Sequence, residues 1–135
     1  MKTILRSTIT LLIICSCKKD NINISQFYGN WEIRSSVSFY PSGSNFYEPG
    51  NGTYIELKPG GTINRYENAT PTSSETFRIV PKDITACKWS TSNYLAIEYG
   101  SGRYEQIRIN NDTLRISTPP CWEDGGIVTY VLIKR

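Results

Sequence analysis

The sequence predicts an all-β domain: a small antiparallel up-and-down β-barrel of about eight strands, with a two-sheet β-sandwich as the alternative. Three observations carry that expectation. Short segments alternate apolar with polar residues, the period of two of a half-buried strand. The connections between them are too short for crossover helices, so neighbouring strands must run antiparallel. From Ser25 to Arg135 no helical period is sustained. Closing such a meander on itself removes the two edges that an open sheet would expose, which makes the barrel the economical form.

Each strand has its own signal. Gly29 permits a sharp turn, and Trp31 then opens the row Trp31, Ile33, Ser35, Val37 and Phe39, opposed by Glu32, Arg34, Ser36 and Ser38. The period of two over residues 31–39, with Trp31, Ile33, Val37 and Phe39 at one parity, makes the first row the inward one. A turn of helix capped by Ser25 precedes it, and a loop rich in Pro, Ser, Gly and Asn follows over 41–52. Residues 54–57 and 63–66 flank Pro59-Gly60-Gly61, a hairpin signal. A second polar loop, 67–74, leads to a strand over 76–80, which Pro81-Lys82-Asp83 breaks. Strands over 84–89, 94–99 and 104–109 follow, with Gly100-Ser101-Gly102 between the last two. Asn110-Asn111-Asp112 turns the chain into 114–117, and a loop from Thr118 to Gly126 precedes the last strand, 127–134.

The chain has 135 residues, enough for one ordinary domain, and a formal charge of +3. Lys2 and Arg6 lie in an acid-free stretch, residues 1–16; beyond it thirteen cations face twelve acids, which gives no reason to expect nucleic acid. That stretch reads as a secretory signal, with a positive start and an apolar run from Thr8 to Ile14 that is too short for the about 20 residues of a membrane span. Ile14-Cys15-Ser16-Cys17, followed by Lys18-Lys19-Asp20, resembles a bacterial lipobox, and is similar to the start of many lipoproteins of the Bacteroidetes group. That resemblance implies cleavage before Cys17, diacylation of its thiol (palmitate among the acyl chains), and a membrane partner reached through this anchor. Residues 17–24 are then a polar tether, 25–135 the folded domain, and the place the outer membrane, facing either the periplasm or the cell surface.

Gly29-Asn30-Trp31 at the head of the first strand resembles the lipocalin signature, in which the tryptophan closes one end of the barrel. The resemblance implies that Gly29 and Trp31, with Lys134 or Arg135 from the end of the last strand, form the barrel closure, the cation lying over the indole. The domain lacks room for the usual C-terminal helix, so it resembles the compact bacterial lipocalin-like lipoproteins. The same likeness implies a small apolar ligand, for which the inward residues Trp31, Ile33, Val37 and Phe39, with Phe77, Ile79, Leu114 and Ile116, are the candidates. These residues would equally fill a solid core.

Outside the cytoplasm, Cys87 and Cys121 read as a disulfide across 34 residues, which would contribute about 3–4 kcal/mol. The loop Thr118 to Gly126, with Trp122 beside Glu123 and Asp124, is either a pinned connection or a contact surface for an envelope protein. Lysozyme-inhibitor lipoproteins, small barrels that act through such a loop, are a rival resemblance, and a structural surface module is a third reading. The chain has no histidine, so a serine triad of the usual sort cannot form and the commonest nitrogen metal ligand is missing. Glu56, Glu98 and Glu105 read as solvated strand faces rather than a hydrolytic pair. The expectation is a non-enzymatic protein with no metal and no cofactor.

Overall fold

A computed structural model describes residues 22–83, 93–119 and 125–133. A short 3-10 turn, Ile24–Phe27, leads into nine strands: β1 (Gly29–Phe39), β2 (Ser42–Phe46), β3 (Tyr54–Lys58), β4 (Thr62–Glu67), β5 (Thr70–Asp83), β6 (Asn93–Tyr99), β7 (Tyr104–Asn110), β8 (Thr113–Ser117) and β9 (Gly126–Leu132). All pairings are antiparallel, in the order β1-β3-β4-β5-β6-β7-β8-β9, and β9 pairs back with β1. The fold is therefore a closed eight-stranded up-and-down barrel, not a two-sheet sandwich, with β2 as one extra strand.

One end of the barrel is sealed by apolar packing. Trp31 is 1% exposed and sits opposite Ile55 on β3 and Leu132 on β9. Its indole N–H donates to the Phe27 carbonyl oxygen at 2.8 Å, which ties the 3-10 turn across this end. Phe27, Leu57, Ile107 and Leu114 are buried in the same cluster. The last strand returns here, with the Ile133 N–H donating to the Asn30 carbonyl at 2.8 Å. Gly29 has φ +139°, and a Cβ there would lie 3.0 Å from Leu132 Cδ1, so a side chain is opposed by both backbone and neighbour. Lys134 and Arg135 lie outside the described residues.

The first strand departs from its sequence pattern. Ile33 faces Tyr130 on β9, but the next partners are Ser35 and Thr129, so Arg34 is an extra residue bulged out of the ladder. An inserted residue reverses the faces of everything after it. Ser36 now shares the face of Val128, while Val37 pairs with Ile127 on the outside. Val37 and Phe39, expected on the inner row, are instead 36% and 49% exposed on the outer face. They belong to a projecting hairpin, because Phe39 and Val37 pair with Ser42 and Ser44 of β2, and Ser35 with Phe46. That strand occupies part of the region 41–52 read as loop.

Two further boundaries moved. Residues 67–74 are not a loop: the turn is only Asn68-Ala69, both left-handed (φ 49° and 60°), the geometry of a two-residue hairpin. Nor does Pro81 end the fifth strand, which runs to Asp83 with Pro81 opposite Leu95. The Phe77 N–H points toward the β4 side, where it donates to Gly61, and by alternation the Pro81 nitrogen points the same way. The β4 pairing stops at Thr76, so no ladder bond is lost there. The expected strand 84–89, and with it Cys87, lies outside the described residues, as do Cys17, Cys121 and Trp122.

Candidate functional site

At the end opposite Trp31 the inward positions change character. Arg65 lies across from Ile55, Glu75 from Ile63, and Glu105 from Ile97, all three partners being core residues. Directly opposed residues of an antiparallel pair share a face. The two acids and the arginine are thus placed inward by strand alternation itself. With Tyr99, Tyr130 and Arg103 from the turn after β6, they surround the mouth of the barrel. A cavity of about 180 Å³ opens here, with Ile55, Ile63, Ile116 and Val128 as its apolar part and Arg65, Arg103, Glu105, Tyr99 and Tyr130 as its polar part. At about 30 Å³ of liquid volume per water, that is room for about six waters or one ring-sized molecule.

The charges are arranged in sequence around the wall. Arg65 Nη1 meets Glu75 Oε1 at 2.7 Å, and Arg103 Nη2 lies 3.9 Å from the same oxygen. Both guanidinium groups also lie over Tyr99, with Cζ 5.4 Å (Arg65) and 4.5 Å (Arg103) from the ring centroid, within cation–π range. Beneath them the Tyr99 hydroxyl donates to Glu105 Oε2 at 2.7 Å. Burial, followed by the negative charge of Glu105, pushes the Tyr99 phenol well above its ordinary range. The Tyr130 phenol is pushed up to about 12 by burial and then by Glu105. Both therefore stay neutral hydroxyls at physiological pH.

Two polar atoms in this ring are left over. Neither the Tyr130 hydroxyl nor Glu105 Oε1 has a hydrogen-bond partner among the described residues. Neither is sealed from solvent, because among the described residues no deeply buried side-chain oxygen or nitrogen lacks a partner. A molecule in the cavity meets a hydroxyl that both donates and accepts, a carboxylate oxygen that accepts, and the N–H fork of Arg103, which is 58% exposed at the lip. The four charges, Arg65, Arg103, Glu75 and Glu105, sum to zero.

No family model, curated protein or solved structure matches this chain.

The residues singled out from sequence fall into three places. Trp31, Phe77, Ile79 and Leu114 lie in the packed core, with Ile33 beside Tyr130; Ile116 alone of that group lines the cavity. Val37 and Phe39 are outside the barrel. Glu105, read as a solvated face, is turned inward, whereas Glu98 binds Lys82 and Arg78 on the outer wall. Glu56 meets Lys58, Asn64 and Tyr66. Arg65, Glu75, Tyr99 and Tyr130 were missed, yet each shares the parity of an apolar row: Arg65 with Ile63, Glu75 with Phe77, Tyr99 with Ile97, Tyr130 with Val128. A charge at inward parity was the available signal.

Among the described residues, no group of three or more His, Cys, Asp or Glu could hold a metal, and no helix is long and apolar enough to cross a membrane.

Proposed function

We propose that this is a lipid-anchored binding barrel whose open end holds one small molecule, uncharged overall, with hydroxyl or amide groups and an apolar flank. The carrying observation is that the Tyr130 hydroxyl and the second oxygen of Glu105, which line one cavity with an apolar floor, have no hydrogen-bond partner among the described residues. A hydroxyl or amide group that accepts from Tyr130 and donates to Glu105 satisfies both at once. A net-charged ligand gains little, because the four wall charges already balance; the purely apolar ligand expected from the lipocalin likeness leaves both polar atoms dry and unsatisfied. The anchor rests on Ile14-Cys15-Ser16-Cys17, and Cys17→Ala is expected to leave the signal uncleaved or release the protein from the membrane fraction. Native mass spectrometry of protein purified from its source envelope tests the ligand. A retained small molecule that is lost in Tyr130→Phe and Arg103→Gln supports the reading. A mass equal to the bare lipoprotein, with no shift of cavity resonances in an NMR screen of hydroxylated fragments, overturns it.

A specific observation also favours a second role, contact with an envelope protein. Residues 35–46 contain no charged side chain, and Phe39, Tyr40 and Phe46 are exposed there, Phe46 to 81%. The hairpin projects from the open end, whereas the described chain begins at the closed one, so an anchor on Cys17 would aim it away from its own membrane. Loss of partner capture in a Phe39→Ser, Phe46→Ser double variant that keeps the small molecule would separate the two roles.

A further inference from the structure

Eight lysines and arginines lie among the described residues, and six of them have a carboxylate within ion-pair distance. Arg34 meets Glu32, Lys58 meets Glu56, Arg65 and Arg103 meet Glu75, and Arg78 and Lys82 meet Glu98. The two that remain, Arg108 and Arg115, are directly opposite each other on β7 and β8. Like charges placed face to face across a ladder repel. Among the described residues nothing else on this patch relieves them: their neighbours on the outer face are Gln106, Asn110, Thr113, Ser117 and Thr129, all uncharged. Asp112, in the intervening turn, has a partner of its own. With its amide turned so that the oxygen faces Arg108, Gln106 accepts from Nη2 at 2.9 Å and Nε at 3.2 Å, which orients the guanidinium without neutralising it.

Between the two arginines is a recess of about 290 Å³, lined by Arg108, Ile109, Asn110, Thr113 and Arg115. Two guanidinium forks with amide and hydroxyl donors beside them form a set made almost wholly of donors, the complement of a tetrahedral oxyanion. We propose that Arg108 and Arg115 form a clamp for a phosphate group, either free or carried on a lipid headgroup. The location bears on the source. The β7–β8 turn lies at the closed end, where the Leu132 N–H donates to the Asp112 carbonyl at 2.9 Å, and the described chain begins at that same end with Ile22. Cys17 lies only five positions before Ile22, a reach of at most about 17 Å. A lipid anchor on Cys17 would therefore hold this recess close to the headgroup layer. The clamp itself does not depend on the anchor or on the open-end cavity.

The test uses the intact protein in two arms. In the first, inorganic phosphate is titrated while the arginine side-chain NMR resonances are followed, with chloride at matched ionic strength as the control. In the second, sedimentation with phosphatidylcholine vesicles is compared with and without phosphatidylglycerol, for the wild type and for Arg108→Gln, Arg115→Gln. Saturable phosphate shifts at the two arginines, with affinity falling about tenfold for each arginine removed, support the clamp and a soluble ligand. A gain in sedimentation that requires phosphatidylglycerol and is lost in the double variant supports the clamp and a lipid source, since the anchor is common to both proteins. Shifts matched by chloride, together with no lipid-dependent difference, overturn the proposal. A third variant guards against a merely structural effect. Arg115→Glu turns the repelling pair into an ion pair, so the clamp predicts a higher Tm with loss of phosphate response; a phosphate response that survives it also overturns the proposal.

Discussion

The two ends of the barrel obey the same alternation rule and put different residues through it. At the closed end the inward positions are Trp31, Leu57, Ile107, Leu114 and Leu132, sealed by Phe27. At the open end, a few residues along the same strands, they are Arg65, Glu75, Tyr99, Glu105 and Tyr130. The closed end removes apolar surface from water and contributes stability. The open end bears the desolvation of charged groups, offset by Arg65–Glu75 and Tyr99–Glu105, and holds two polar atoms with no hydrogen-bond partner among the described residues. Apolar packing and inward-facing charge are thus separated along the barrel axis.

The largest effect should come from the closed end. Trp31→Ala removes the indole and its bond to Phe27, and is expected to cost about 3–5 kcal/mol. Urea unfolding at unchanged m-value measures it, and a near-neutral result would mean that this end is not the stabilising one.

Next is the alkaline limb, which belongs to the open end. With the Tyr130 phenol raised to about 12 in the fold and at its ordinary 10 in the unfolded chain, the folded state holds its proton longer. The contribution is complete below pH 10 and is lost as the pH rises toward 12, on the order of 2 kcal/mol. Urea midpoints across that range should fall less steeply in Tyr130→Phe. Equal slopes would place Tyr130 in water.

Among the described residues, Glu75→Gln leaves Arg65 and Arg103 without their ion-pair partner, over the Tyr99 ring and in the cavity that Glu105 also lines. About a quarter of each side chain of the Arg65–Glu75 pair is in water, so the expected cost is about 1 kcal/mol, with retention of any open-end ligand weakened more than the fold. A cost as large as that of Trp31→Ala would erase the contrast between the ends.

The smallest effect is at the projecting hairpin, where Phe39→Ser should change stability by no more than about 0.5 kcal/mol despite removing an aromatic from the first strand. A cost above about 2 kcal/mol would return Phe39 to the core.

The bulge at Arg34 explains why part of the candidate site could not be read in advance. Over residues 31–39 the apolar residues Trp31, Ile33, Val37 and Phe39 keep one parity, with Ser35 the one polar residue in that row, and a bulge removes no apolar residue from the pattern. It is recorded only in the register against β9, where Ile33 faces Tyr130 and Ser35 faces Thr129. One inserted residue exchanged Val37 and Phe39 for Ser36 and Ser38 on the inner face, and so made the mouth polar on this side too. The region after Tyr40 misled for a related reason: Ser42–Phe46 has poor strand propensity and is extended because β1 offers it a partner.

By itself the sequence determined the class of fold, the antiparallel meander and the place of Trp31 at the head of the first strand. Those follow from local terms: alternation, turn residues and connections too short to cross over. It also determined the parity of Arg65, Glu75 and Glu105, though not that this parity led to a shared cavity. Closure of the barrel, the meeting of charges from β4, β5 and β7 around Tyr99, and the facing of Arg108 by Arg115 were decided by tertiary structure alone. Each depends on which residues oppose one another across strands far apart in the chain, and register is a property of pairs that no single strand carries.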